Sequence, residues 1–341
     1  MNTIEGGMAV EFREAPEAVR RQAETLPGPL RELVERLRRK PPQVVVTCAR
    51  GSSAHAATFG KHLIERRLGI PVAAAAPNIA TVYHRRLELR DQLFLAISQS
   101  GRSDDLIETA ALAKAAGALT ATVVNAIDSP LASVCDVVLP MSAGPETSIA
   151  ATKSFVAALT ALLHLAALWS QDSALGAAIA RLPDHLTAAA ALDWVAALDA
   201  LAGSDSLVTI GRGPTLAIAR EAALKLKETC DLHAEPFSGA EFLHGPVALV
   251  SNRYPILMFM PTDQAAAGLR ALIADLDQKG AHVLVTGGAG QGALPTLAPD
   301  HPDTDAVCLI QSFYALIVRL AALRGTDVNQ PRHLQKVTRT R

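Results

Sequence analysis

Residues 220–246 read REAALKLKETCDLHAEPFSGAEFLHGP and concentrate groups able to take and give protons. Glu221, Lys225 and Glu228 fall at i, i+4 and i+7, so a helix puts two carboxylates and an amine on one face. His233, Glu235, Glu241 and His244 follow in a segment broken by Pro236, Gly239 and Gly245, which is expected to be irregular. On spacing alone the pattern is more simply a solvated Glu221–Lys225 ion pair beside passive loop histidines. The rest of the chain shifts that balance toward acid–base chemistry.

Such a cluster needs a scaffold, and the chain writes one twice. The first copy has short apolar strands expected at 44–47, 93–97, 120–125 and 137–140, separated by helical stretches such as 104–116. The second repeats the order at 207–210, 256–260, 282–286 and 306–310. The first strands are offset by 207 − 44 = 163 residues and the second by 256 − 93 = 163, which reads as a tandem duplication. Strands alternating with helices predict an α/β fold, each unit a mostly parallel sheet flanked by helices in the flavodoxin-like, doubly wound manner. The expected divisions are a helical lead-in at 1–40 (Leu30, Leu33, Val34, Leu37), a first domain at 41–171, a helical connector at 172–201 (Leu175, Ile179, Leu182, Leu186), a second domain at 202–325 and a tail at 326–341.

The two copies differ where chemistry would be placed. After its second strand the first copy carries Ser98, Gln99, Ser100, Gly101, Arg102 and Ser103, whereas the second carries Pro261, Thr262, Asp263 and Gln264. Small hydroxyl residues and a glycine before a helix, at the carboxyl end of a parallel strand, suit an anion such as phosphate. The alternative is an ordinary turn with Ser103 as N-cap. Three serines and a glycine within six residues, absent from the sister copy, favour phosphate. Neither a Walker loop nor a dinucleotide fingerprint is present, since GRGPTLA after Ile210 lacks the third glycine.

Composition narrows the class further. With 32 Lys and Arg against 33 Asp and Glu in 341 residues, no basic excess points to nucleic acid. The apolar run 155–169 is interrupted by His164 and too short for a bilayer, so it reads as a buried helix, and the amino terminus offers no signal-like stretch. Cys48, Cys135, Cys230 and Cys308 lie far apart without CxxC spacing, so no metal knuckle or dithiol is expected. The expectation is a reduced, cytoplasmic protein without nucleic-acid or membrane partners. The end of the chain, with Asn329, Pro331, Arg332, His333 and Lys336, reads by itself as a frayed basic tail.

Six ordered blocks resemble the sugar isomerase (SIS) domain family, in particular the double-SIS isomerase half of glucosamine-6-phosphate synthases and the stand-alone SIS-type glucosamine-6-phosphate deaminases. They are GSS at 51–53, SQSGRS at 98–103, ETSIAATKS at 146–154, EAALKLKE at 221–228, HAEPFSGAEFLHGP at 233–246 and GTDVNQPRHLQK at 325–336. The resemblance implies that Ser98, Gln99, Ser100 and Ser103, with Ser53 nearby, hold a sugar phosphate, and that Ile149 adds to the substrate pocket. It implies that Glu228 shuttles a proton between C1 and C2, His244 opens the sugar ring and Lys336 meets the open-chain carbonyl, with Glu221 and Lys225 supporting Glu228. It also implies a homodimer whose His244 loop is shared across the interface, and no cofactor or metal. A carboxylate, an imidazole and an amine are suited to these steps.

Two departures bear on specificity: Arg50 and Gln335 stand where the synthases have cysteine and alanine. About 40 residues precede the first block and do not resemble a glutaminase domain, so the expected reaction uses no glutamine. The resulting expectation is conversion of D-glucosamine 6-phosphate and water to D-fructose 6-phosphate and ammonia. A related aminosugar-phosphate deaminase or isomerase, a fructosamine-phosphate deglycase, and a sugar-phosphate sensor without turnover are the alternatives. No recognition helix of a DNA-binding regulator is legible in residues 1–40.

Overall fold

The computed structural model describes residues 7–290 and 292–336, which fall into two compact units. The first unit comprises 17–146, 153–180 and 335–336, and the second 7–16, 147–152 and 181–334. The chain opens with α1 (Met8–Glu11), a 3-10 turn, α2 (Ala15–Thr25) and α3 (Pro27–Arg39). In α3 the expected stripe of Leu30, Leu33, Val34 and Leu37 is buried, and Pro27 starts the helix where a missing N–H costs nothing.

Strands and helices then alternate through β1 (Val45–Ala49), α4 (Gly51–Leu68), β2 (Val72–Ala74), α5 (Pro77–Thr81), β3 (Leu93–Ser98), α6 (Asp104–Ala115), β4 (Leu119–Val124), α7 (Pro130–Val134) and β5 (Val137–Pro140). α8 (Lys153–Ser170) packs on α3 and α4. α9 (Ser173–Ala189) buries Leu175, Ile179, Leu182 and Leu186, the spacing that predicted it. After α10 (Val195–Ala202) the second unit runs through β6 (Ser206–Gly211), α11 (Thr215–Cys230), β7 (His233–Ser238), α12 (Gly239–Phe242), β8 (Pro255–Met258), α13 (Ala266–Gln278), β9 (His282–Thr286), β10 (Ala293–Leu294) and α14 (Pro302–Arg324).

Both sheets have five strands, all parallel among the described residues, ordered β2-β1-β3-β4-β5 and β7-β6-β8-β9-β10. Counted within each unit, both orders are 2-1-3-4-5, the flavodoxin-like order. The duplication expected from the sequence is thus a duplication of topology.

Two local expectations differ from the structure. The apolar run 306–310 is not a strand but part of α14. His301 Nδ1 accepts the Asp303 N–H at 3.2 Å and Asp303 and Asp305 occupy the first turn, so the helix is already under way there. A run that is apolar at every position has no period to separate a buried helix from a buried strand. The strand expected there is the two-residue β10. Residues 233–246, expected to be irregular, contain β7 and α12 and end where a 3-10 turn, Pro246–Leu249, begins. Pro236 is tolerated because β7 is an edge strand paired only with β6. β2, a three-residue edge strand, had too little pattern to be read.

α8 and α14 have the length and hydropathy of bilayer-crossing helices (1.4 and 1.9), but 83% and 72% of those windows are buried inside the protein. They are core helices, as residues 155–169 predicted for α8. The four cysteines are free and buried, and burial pushes Cys48, Cys135 and Cys230 up to about 12, which leaves them as unreactive thiols.

Candidate active site

In the first unit the candidate residues gather where β1 and β3 end side by side. Ala49 is in register with Ile97, and the chain continues into Arg50 on one strand and Ser98 on the other. This is the point where crossovers diverge to opposite sides of an open sheet and where such folds bind ligands. Ser98 Oγ accepts the Gly101 N–H at 3.0 Å, and Ser100 Oγ accepts the Arg102 N–H at 3.3 Å, so the loop is wound by its own hydroxyls. Gly101 sits at φ +62°, and a Cβ there would lie 2.1 Å from Ser129 Oγ. Gln99 is half-buried in the same turn.

Ser103 occupies the N-cap position of α6, but its side chain makes no capping hydrogen bond, so the ordinary-cap reading does not account for this hydroxyl. Ser53 lies half-buried in the first turn of α4. Arg50, flagged by the sequence only as a departure, donates from Nε at 2.9 Å and from one Nη at 2.7 Å to Asp105 Oδ2. Asp105 is buried while the guanidinium is half-exposed, so a cation is held at the mouth of the serine loop.

The first unit also holds the Lys336 ammonium, 3.5 Å from Glu146 Oε2. Glu146 is fully buried there, its oxygens accepting the Ser154 N–H at 3.2 Å and the Ser154 hydroxyl at 2.5 Å.

The second unit carries the ionisable face of α11. Lys225 Nζ lies 3.4 Å from Glu221 Oε1 and in direct contact with Glu228 Oε2. Lys225 is 1% exposed and Glu221 fully buried, so the solvated-pair reading fails. Burial works against the ammonium, but the two carboxylates outweigh it and raise the Lys225 pKa above the ordinary lysine value. Glu228 keeps 20% of its side chain open, which makes it the member of the set that an outside molecule can reach.

His233 and Glu235 are exposed on β7, and His244 is exposed after α12, beside the half-exposed Leu243 and Leu249. Ile149 is half-buried in the 147–152 segment, which Glu11 holds by accepting the Thr147 N–H at 2.5 Å, the Thr147 hydroxyl at 2.8 Å and the Ser148 N–H at 3.2 Å. Burial works to raise the Glu11 pKa, but hydrogen bonds from Ser148 and Thr147 hold it below the ordinary carboxylate value. The tail is less frayed than its composition suggested. Val328 is buried, Thr326 Oγ1 donates to the Thr229 carbonyl at 2.6 Å, and Asn329 Oδ1 accepts the Met8 N–H at 2.9 Å.

Sequence reasoning missed Glu146, Asp105 and Glu11. Glu146 opens a block that was legible, but its partner Lys336 lies far along the chain. Asp105 reads as an ordinary first-turn acid of α6.

A family model described as the SIS domain matches residues 39–168 and 200–301. The glutamine–fructose-6-phosphate aminotransferase [isomerizing] of Symbiobacterium thermophilum is 34% identical over 86% of this chain and 51% of its own. The chain therefore spans about half the length of the curated relatives it matches. A solved structure from Silicibacter pomeroyi DSS-3, provisionally described as a phosphosugar isomerase, is 42% identical, with 94% of this chain and 99% of that one covered and a TM-score of 0.90. Glucosamine-6-phosphate deaminase from Thermotoga maritima shares the fold at a TM-score of 0.72 and 23% identity, covering 96% of this chain and all of that one.

Proposed function

The chain belongs to the SIS domain family, and on that premise we propose that it is a glutamine-independent aminosugar-phosphate deaminase of the isomerising type. Its substrate is D-glucosamine 6-phosphate and its products are D-fructose 6-phosphate and ammonia. The serine loop at 98–103, with Ser53, takes the phosphate, and Ile149 lines the sugar. His244 passes the proton that opens the ring. Glu228 removes the C2 proton of the open-chain aldose and returns it to C1, while O1 gains the proton that the C2 amine gives up, which leaves an imine at C2. Water adds to that imine and ammonia departs, leaving the ketose. Lys336 engages the open-chain carbonyl, and Glu221 and Lys225 hold Glu228 in place.

The observation that carries this reading is the Lys225 ammonium buried between Glu221 and Glu228, with Glu228 alone of the three accessible. A fully buried lysine shared by two carboxylates fixes the accessible one in a single orientation, which proton transfer between adjacent carbons requires. The exposed His244, with Leu243 and Leu249 beside it, supports a homodimer in which a second copy covers this stretch. Replacing Glu228 with Gln tests the reading. Ammonia release is expected to vanish while fructose 6-phosphate still binds, and undiminished turnover removes Glu228 from the mechanism.

A second reading, isomerisation of a phosphosugar without loss of nitrogen, is favoured by the provisional description of the Silicibacter relative. It uses the same proton transfer at Glu228 and differs only in whether C2 carries nitrogen or oxygen.

A further inference from the structure

We propose that Glu146 is the positioning residue of Lys336: a prebuilt buried carboxylate that fixes the direction in which this amine meets the open-chain carbonyl. The inference rests on the role given to Lys336 above. Glu146 has no exposed side-chain surface, and a carboxylate in that setting is costly unless hydrogen-bonded and paired. Ser154 supplies the hydrogen bonds, giving its N–H to Oε1 and its hydroxyl to Oε2. Because Ser154 lies in the first turn of α8, the amino-terminal end of that long helix also favours negative charge there. The carboxylate is therefore oriented by α8, independently of the tail.

Lys336 comes from the other side of the relationship. It lies beyond α14, the last helix among the described residues, in a stretch without helix or strand. A lysine in such a segment has the rotamer freedom of a long, flexible side chain to lose before its amine points one way. The ion pair at 3.5 Å restricts that freedom before substrate arrives, and 28% of the lysine side chain remains exposed, so the amine is pinned but not sealed. Pairing this close, with Ser154 holding both carboxylate oxygens, is the arrangement of an anchor for a reactive amine.

The test compares Glu146→Gln, Glu146→Asp, Ser154→Ala and Lys336→Met. Each is assayed for kcat and KM of ammonia release, for fructose 6-phosphate binding, and for the rate at which acetic anhydride acetylates Lys336 relative to exposed lysines. Glu146→Gln is expected to lower kcat about ten- to a hundredfold with KM nearly unchanged, as misplacement of one reacting group does. It is also expected to speed acetylation of Lys336 several-fold. Glu146→Asp recovers part of both, and adding Glu146→Gln to Lys336→Met slows the enzyme no further. Ser154→Ala, a milder change, moves kcat and labelling in the same direction if the glutamine variant does not fold. Wild-type kcat and labelling in a folded Glu146→Gln protein, with Lys336→Met inactive, overturn this inference alone. Full turnover in Lys336→Met overturns the role given to the lysine, and the inference with it. If the wild-type protein releases no ammonia, unchanged labelling in the variants still overturns the contact, and faster labelling still supports it.

Discussion

The Lys225 ammonium stands between two carboxylates on successive turns of α11, 3.4 Å from Glu221 Oε1 and in contact with Glu228 Oε2. Removing it takes the ammonium away from a fully buried carboxylate, Glu221. Lys225→Met is therefore expected to destabilise the fold by about 3–5 kcal/mol, whereas Lys225→Met with Glu221→Gln loses less than the single variant. Urea unfolding of the two proteins decides this. Because the folded pKa of Lys225 is raised, the stability it contributes is full below the ordinary lysine pKa and is lost only as pH rises through the folded value, so the gap persists across neutral pH.

Replacing Ser103 tells a structural hydroxyl from a ligand-binding one. A serine that caps a helix through its side chain costs about 1 kcal/mol when replaced by alanine, but Ser103 makes no such bond. Ser103→Ala should therefore leave the melting temperature unchanged while raising KM for the sugar phosphate several-fold. A fall in melting temperature with unchanged KM would make it only a cap.

Gly101, after β3, and Arg50, after the neighbouring β1, predict two different failures. Gly101→Ala forces a Cβ toward Ser129 at φ +62°, so it should cost about 1–2 kcal/mol of stability and weaken sugar-phosphate binding together. Arg50→Ala removes a half-exposed cation and leaves Asp105 buried without its partner, so it should raise KM most at low ionic strength. Calorimetric binding of fructose 6-phosphate to both variants checks the pair.

His164, midway along α8, supplies an acid-side prediction. Burial depresses its pKa to about 4, and its Nε2 has no hydrogen-bond partner among the described residues. It stays neutral in the fold but titrates near 6.5 when unfolded, so the unfolded chain binds the extra proton and stability falls as pH drops from about 6.5 to 4. The fall amounts to about 3 kcal/mol, and His164→Leu is expected to flatten it. Thermal unfolding at pH 7, 5.5 and 4.5 measures the difference.

Much of this is legible in the amino-acid sequence alone. The apolar strands named the sheets, the stripe of Leu30, Leu33, Val34 and Leu37 named α3, and the spacing of Glu221, Lys225 and Glu228 put them on one face because helix geometry is local. What failed was also physical. The run 306–310 has no periodicity to betray a helix, and Pro236 argued against a strand until its edge position was known. Whether the Lys225 pair is solvated or buried depends on what packs over α11, and α14 does so from far along the chain. Nothing in local spacing joins Lys336 to Glu146 or Arg50 to Asp105.

The central claim is the reaction, and ammonia release tests it most directly. The purified chain is given glucosamine 6-phosphate, galactosamine 6-phosphate and a fructosamine 6-phosphate in turn, with neither glutamine nor added metal. The account predicts rapid ammonia and stoichiometric fructose 6-phosphate from the first sugar and little from the others. Tight binding of the sugar phosphates with no ammonia from any of them would contradict it.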